Sequence, residues 1–122
     1  YCAAHDFGNL IRPSSGLGQL EMALTMASGR ALREEIIWDK NTGVLLNGNM
    51  YDYKVPTSLD QPVIDTIPVE TRCGGGAYGS TGVAHAHCDA GLVGLAVQNA
   101  IGKFIPMAPY TPDKILAALG RI

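Results

Sequence analysis

The chain has 122 residues, 47% of them hydrophobic and 16% charged, which is enough apolar sequence to form the core of one domain. Nine basic and eleven acidic residues give a formal net charge of −2, and no lysine–arginine cluster occurs, so neither nucleic acid nor a membrane is an expected partner. Three cysteines, an odd number, and an amino-terminal segment without signal-peptide features favour a cytoplasmic protein.

The first half of the chain is predicted to form a strand, a long helix and a hairpin. Residues 1–6 are strand-like, and His5-Asp6 is expected to make hydrogen bonds at the end of that strand. Pro13 and the two serines after it mark the start of a helix. The apolar residues of this helix recur every three or four positions and form one stripe: Leu17, Leu20, Leu24, Ala27 and Ala31. Residues 35–38 and 44–46 flank a loop that ends in glycine, which predicts a β-hairpin.

The second half is predicted to contain a strand, a long loop and two helices. Residues 63–70 alternate as a strand does, although Pro68 restricts that strand to a sheet edge or a bulge. Residues 71–87 form a glycine-rich loop that is long for a compact domain and therefore expected to be functional. Residues 90–103 are apolar on nearly every side, which predicts a buried helix, and Thr111-Pro112-Asp113 opens a short closing helix. These elements predict the α+β class, with mixed helices and short strands.

Glycine is concentrated at residues 16–18 and 74–82, and the chain contains fifteen glycines in all. Such clusters allow the backbone to approach a ligand or another chain closely. Gly74, Gly76 and Gly79 satisfy G-x-G-x-x-G, but no helix opens directly after them, so a dinucleotide site is disfavoured. The loop is either an ordinary surface turn or one whose backbone N–H groups face an anionic or oxo-bearing ligand.

The sequence His85-Ala86-His87-Cys88 holds the most reactive side chains of the loop. Two imidazoles and a thiol could bind zinc, but no second pair of ligands stands at a recognisable spacing elsewhere. A hydrogen-bonded structural pair is favoured over a metal site. A general acid or base remains a third interpretation, because histidine titrates near neutral pH.

Several segments, taken in order, resemble one known family. They are residues 4–8 with 11–13, 18–21, 29–32 with 34–35, 50–57 and 79–83. Their order and approximate spacing are similar to the carboxyl-terminal part of the molybdopterin-binding large subunit of molybdenum hydroxylases. That family includes xanthine dehydrogenase, aldehyde oxidoreductase and carbon monoxide dehydrogenase. The ordered set carries the resemblance, rather than any single segment.

The resemblance implies that residues 1–122 are a single piece, incomplete relative to the family, that lines one side of a molybdenum- or tungsten-pterin cofactor. Gln19 matches the family glutamine near the cofactor. The loop that packs against the cofactor is matched by Ser80, Thr81, Gly82, Val83 and Ala84. No residue of this chain is implied as a metal ligand. The remaining part of the subunit would share the cofactor, and iron–sulfur and flavin groups would lie on other subunits.

One position departs from the family pattern. The family loop ends in a glutamate that serves as the catalytic base, and His85 stands in its place. A neutral imidazole can accept a proton but does not supply a carboxylate's negative charge. His85 is therefore a replacement base, a proton donor, a ligand near the metal, or the mark of a lost site. The chain is accordingly a split subunit or fragment of an oxidoreductase, inactive in isolation, or else a non-catalytic assembly subunit that kept the fold.

Overall fold

A computed structural model of the chain describes residues 1–83 and 90–122. The strands are β1 (Cys2–Asp6) and β2 (Asp65–Val69), and the helices are α1 (Pro13–Leu32), α2 (Ala90–Ile101) and α3 (Pro112–Ala118), with short 3-10 turns at Ser58–Asp60 and Ala77–Gly79. Mixed helices and short strands confirm the predicted α+β class. Within the described part of the chain, every helix is too short or too polar to span a bilayer.

Residue contacts divide the chain into two compact units. The first unit comprises Tyr1–Met26 and Pro62–Cys88, and the second comprises Ala27–Gln61 and Asp89–Ile122. The first unit contains both strands and the described part of the glycine-rich loop, and with them Gln19, Ser80, Thr81, Gly82 and Val83.

The two strands pair in parallel, with Cys2 opposite Asp65 and Asp6 opposite Val69. The Phe7 N–H continues the pairing by donating to the Val69 carbonyl at 2.9 Å. Each strand has a single neighbour among the described residues, so both are edge strands. Pro68, which lacks an N–H, is tolerated in β2 for that reason. The strand expected over 63–70 is therefore confirmed, in shorter form, and so is the edge position.

Helix α1 confirms the predicted stripe, because Leu20, Leu24, Ala27 and Ala31 are all buried and Leu17 is half-buried. Alternation of three and four residues returns these side chains to one face of the helix. Small residues allow close packing on this helix. A Cβ on Gly16 would lie 2.6 Å from the Leu10 side chain and 3.0 Å from the Phe7 ring.

The predicted hairpin is wrong in its strands, although its turn forms. The Gly43 N–H donates to the Asp39 carbonyl at 2.8 Å, but the flanking segments share one isolated bridge, between Trp38 and Leu45. The buried Asn47 side chain explains the interruption. Its Oδ1 accepts the Ile37 N–H at 2.9 Å and its Nδ2 donates to the Glu35 carbonyl at 2.5 Å. A side-chain amide therefore occupies backbone groups that a longer ladder would have used.

Helix α2 forms where it was predicted, but its predicted burial is wrong. Leu92 is 50% exposed and Leu95 is 63% exposed, and Gly94 is the one buried residue in the helix. Gly94 lies against the Tyr110 ring, which an added Cβ would overlap. The described residues of the second unit therefore cover one side of α2, whereas its composition suits a helix covered on all sides.

Candidate functional site

The glycine-rich loop closes on itself through its own backbone. The Gly74 N–H donates to the Gly79 carbonyl at 3.1 Å, and the Gly76 N–H donates to the Ser80 carbonyl at 2.9 Å. A Cβ on Gly74 would overlap the Ser80 backbone, and one on Gly76 would lie 2.7 Å from the Ser80 oxygen. These glycines of the G-x-G-x-x-G pattern therefore make room for the loop itself. That assignment removes the remaining support for a dinucleotide site.

Gly8 joins this loop to the end of β1. Its φ is +65°, a conformation that side chains rarely adopt, and an added Cβ would overlap the Gly79 carbonyl oxygen. The Gly8 carbonyl accepts the Arg72 N–H at 2.8 Å. A further bond runs from the Thr81 N–H to the Phe7 carbonyl at 2.8 Å. The segment after β1 therefore holds the glycine-rich loop at two points, Arg72 and Thr81.

Asp6 adds a side-chain anchor to the same junction, as the sequence predicted for this strand end. Its carboxylate accepts the Gly8 N–H at 2.8 Å and the Thr71 hydroxyl at 2.9 Å. These two hydrogen bonds favour the ionised form and so lower the pKa of the Asp6 carboxyl.

Acid should loosen this junction. Because the pKa of Asp6 is lowered in the folded chain, its stabilisation is present above the ordinary aspartate pKa of about 4 and is lost as the pH falls through the lowered folded value. The amide NMR signals of Gly8 and Thr71 should therefore shift with a midpoint below about pH 4. The Asp6→Asn variant should show no such step, and a wild-type midpoint at or above the ordinary value would contradict the assignment.

Four predicted cofactor-binding residues line one groove of about 170 Å³ in the first unit. Gln19 comes from α1, and Ser80, Thr81 and Val83 come from the end of the glycine-rich loop. The other lining residues are Phe7, Asn9, Leu10, Ile11, Arg12, Ser15 and Gly16. The lining therefore includes hydroxyl, carboxamide and guanidinium groups. Among the described residues, no carboxylate lines the groove.

The backbone N–H groups of Ser80 and Thr81 are already used within the chain, by Ala77 and Phe7. Gly82 differs from Gly74, Gly76 and Gly79 and resembles Gly75, because a Cβ there would meet nothing within 4 Å among the described residues. Near the groove, the interpretation of the loop as backbone that faces a ligand therefore applies to Gly82 and Val83 rather than to Ser80 and Thr81.

The remaining predicted site residues, Ala84 and His85, lie outside the described residues, as do His87 and Cys88 of the zinc interpretation. Within residues 1–83 and 90–122, no group of three or more His, Cys, Asp or Glu side chains could hold a metal ion. Sequence reasoning missed Asn9, Arg12 and Ser15 as lining residues. Their position in the sequence could have identified them, because Asn9 and Arg12 lie between β1 and α1 and Ser15 lies in the first turn of α1.

Comparison with known proteins assigns the chain to a family. The model of the molybdopterin cofactor-binding domain matches residues 1–62. The chain is 36% identical over 113 residues to the xanthine dehydrogenase molybdenum-binding subunit of Escherichia coli O157:H7. That alignment covers 91% of this chain and 15% of the subunit. It is 34% identical over 127 aligned residues to the aldehyde oxidoreductase molybdenum-binding subunit PaoC of Escherichia coli (strain K12). That alignment covers 97% of this chain and 16% of PaoC.

A solved structure agrees with these relatives. The crystal structure of quinoline 2-oxidoreductase from Pseudomonas putida 86 superposes with a TM-score of 0.83 and 29% identity, over 98% of this chain and 16% of that one. The chain therefore belongs to the molybdopterin cofactor-binding domain family, as its ordered segments predicted. It spans about 15% of the length of the curated relatives it matches.

The groove is chemically suited to molybdopterin, the cofactor after which the family is named. A pterin ring presents many hydrogen-bonding nitrogen and oxygen atoms, which carboxamide and hydroxyl side chains can match. Gln19 offers both a donor and an acceptor, and Thr81 offers a hydroxyl. The open space beside Gly82 would admit a bulky group close to the backbone. The residues present therefore fit a pterin cofactor.

Proposed function

We propose that this chain forms one wall of the cofactor site of a molybdenum–pterin oxidoreductase. The observation that carries the proposal is the groove in which Gln19, Ser80, Thr81 and Val83 lie together, in a member of the molybdopterin cofactor-binding domain family. When bound, the cofactor supplies the metal at which a substrate is oxidised and a path by which electrons leave. Tungsten in place of molybdenum is an alternative metal in the same site.

In this proposal, each groove residue acts by binding and orienting. The Gln19 carboxamide pairs with polar edges of the pterin, while the Ser80 and Thr81 hydroxyls donate to its oxygen and nitrogen atoms. Gly82 and Val83 present backbone N–H groups at close range, because Gly82 has no side chain to keep a ligand at a distance.

The rest of the site belongs to a partner polypeptide in this proposal. The relatives are molybdenum-binding subunits of which this chain covers about 15%. Large apolar side chains stand exposed in the second unit, including Met50 at 79% and Leu95 at 63%. Apolar surface of this kind marks a face that another polypeptide covers. We assign that face to the remaining part of the molybdopterin-binding subunit, in a cytoplasmic complex whose iron–sulfur and flavin groups lie on further subunits.

His85 is proposed as the residue that exchanges a proton with the substrate or with water, in the position of the family glutamate. A neutral imidazole has an ordinary pKa of about 6.5 and can accept or donate a proton near neutral pH. It does not bring a negative charge into the site, so the reaction need not be the hydroxylation that the glutamate supports.

The replacement of glutamate by His85 also favours a second candidate function. The chain would then be an assembly subunit that kept the fold and lost the chemistry. The two candidates differ in one observable. Activity of the complex depends on residues 81–85 in the first and survives their disruption in the second.

Purification of the native complex through a tag on this chain tests the proposal. The complex should contain a pterin and about one molybdenum or tungsten atom per assembly, measured by fluorescence of the oxidised pterin and by elemental analysis. Mass spectrometry of the co-purifying proteins should identify a polypeptide that matches the missing part of the molybdenum-binding subunits. A fully active complex that contains neither metal nor pterin would refute the proposal.

Substitution of Gly82 by alanine tests the wall itself. The added methyl group meets nothing within 4 Å in the described chain, so the fold should be unaffected. Against a closely packed cofactor it should cost about 1–3 kcal/mol, which is about fivefold to more than a hundredfold in cofactor retention. Pterin content after dialysis is the measurement.

Gly75→Ala is the matched control for this variant, since Gly75 is in the same loop and is equally unobstructed. It should retain cofactor as the unchanged complex does. Equal pterin content in both variants would remove Gly82 from the cofactor contact.

A further inference from the structure

We propose that Arg12 recognises a phosphate group of the bound cofactor, and so determines how long the cofactor is retained. This inference deepens the proposed function and rests on it. The ligand class is a phosphate ester, because molybdopterin carries its phosphate on a side arm away from the metal. Arg12 lies in one of the segments that resemble the family, residues 11–13.

Arg12 is the one charged residue among the described residues that line the groove. The described ion pairs are Arg33 with Asp60 and Lys114 with Glu35, so no described carboxylate pairs with the Arg12 guanidinium. A guanidinium that is not neutralised by a carboxylate, beside hydroxyl and carboxamide groups, suits an oxyanion. Arginine also presents two parallel N–H groups that match the geometry of a phosphate.

The backbone of Arg12 is held in place at the start of α1. Its carbonyl accepts the N–H groups of Ser15 at 3.2 Å and Gly16 at 3.0 Å. Pro13 follows directly and fixes the first backbone angle of the helix. The backbone at Arg12 is therefore already ordered, so a ligand has only the side chain to immobilise.

Neighbouring side chains support the same assignment. Ser15 lines the groove one helical turn from Gln19, and both can donate hydrogen bonds to phosphate oxygens. The Asn9 carboxamide donates to the Tyr78 carbonyl at 3.2 Å, which orients it at the groove. Glu70 accepts the Leu10 N–H at 3.3 Å, but it is not among the residues that line the groove.

The test uses the complex purified through this chain, with Arg12→Gln, Arg12→Lys and, as a matched loss of one positive charge, Arg121→Gln. The readout is the rate at which pterin is lost on dialysis. Arg12→Gln should lose pterin about tenfold faster than the unchanged complex, since a charge-assisted hydrogen bond is lost. Arg12→Lys should be intermediate, because it keeps the charge without the paired N–H groups. Arg121→Gln should be unchanged.

The effect of inorganic phosphate separates ligand recognition from a purely structural role of Arg12, because a structural role predicts no dependence on phosphate. Added phosphate should compete with the cofactor and speed pterin loss from the unchanged complex, but not from Arg12→Gln. In a complex prepared without cofactor, phosphate should bind directly, with Arg12 required. Phosphate binding that persists in the fully loaded complex would show that Arg12 takes a free phosphate from solution instead, and would overturn the proposal.

Two failures of the test are distinguishable. Pterin retention by Arg12→Gln equal to that of the unchanged complex overturns the role of Arg12 alone. Absence of pterin from the unchanged complex overturns the proposed function, and this inference with it. If Arg12→Gln does not assemble, Arg12→Lys serves as the test instead. If that variant retains pterin as well as the unchanged complex does, and added phosphate speeds its pterin loss by the same factor, recognition by a paired guanidinium is refuted.

Discussion

Turnover by the complex that contains this chain should fall by roughly two to four orders of magnitude when His85 is replaced by alanine. That range is what a positioned acid or base contributes, because it moves a proton in the transition state. The expectation depends on the place of His85 in the sequence, shortly after the groove residues Ser80, Thr81 and Val83. Steady-state kinetics with the native substrate of the complex is the measurement.

His87→Ala is the matched control, since it removes an imidazole two positions away in the same segment. It should change turnover far less than His85→Ala does. A decrease below about threefold in His85→Ala would reassign His85 to a structural role, because a positioned acid or base contributes at least about a hundredfold. His85→Glu distinguishes the two candidate functions further. A gain of hydroxylation activity in that variant, where the unchanged complex has no activity of its own, would indicate an assembly subunit whose site can be restored.

Replacement of Gly8 by alanine should destabilise the chain by about 2–5 kcal/mol. Two costs add in that estimate. An alanine at a left-handed φ costs about 1–2 kcal/mol, and overpacking costs about 1–3 kcal/mol. Overpacking is expected because the new methyl group would overlap the Gly79 carbonyl oxygen and lie 3.0 Å from Gly74. Both obstacles are backbone atoms, which cannot rotate away as a side chain could.

Chemical denaturation of the chain measures this loss directly. Gly75→Ala is the control, because its Cβ meets nothing within 4 Å and its φ lies outside the left-handed region. That variant should change the free energy of unfolding by less than about 1 kcal/mol. A Gly8→Ala variant as stable as the control would show that the loop does not close against the end of β1 in solution.

Periodic patterns along the chain predicted its elements well. The stripe from Leu20 to Ala31 identified the buried face of α1, since an α-helix brings every third or fourth residue to the same side. The strand containing Pro68 was found with its edge position, because proline lacks the N–H that an inner strand requires. In both cases the residue pattern within the element itself was sufficient to predict the structure.

Predictions that depended on long-range partners were less successful. The hairpin strands were not formed, because Asn47 satisfies Ile37 and Glu35 through its side chain, a contact that no short pattern reveals. Burial of α2 was expected from its composition, yet composition does not say which polypeptide covers the helix. Leu92 and Leu95 are exposed in the chain taken alone.

Some residues of the candidate site could be predicted from the sequence, and others required the folded structure. Resemblance to a family singled out Gln19 and residues 80–84, and the structure brings Gln19, Ser80, Thr81 and Val83 to one groove. Their role in binding cofactor remains a prediction. Arg12 was not assigned a role from the sequence, because its place in the same groove as Gln19 and Ser80 follows from the folded arrangement of α1 and the glycine-rich loop. The role of Gly74 and Gly76 in the loop's own turn also required coordinates.

A crystal structure of the native complex, with anomalous diffraction recorded at the molybdenum absorption edge, tests the central claim most directly. The account predicts a metal peak and pterin density beside the segment that ends at Val83, with Gln19 and Gly82 in contact with the pterin and a second polypeptide completing the enclosure. A groove between α1 and that segment that opens to bulk solvent, with metal and pterin held elsewhere or missing from an active complex, would contradict it.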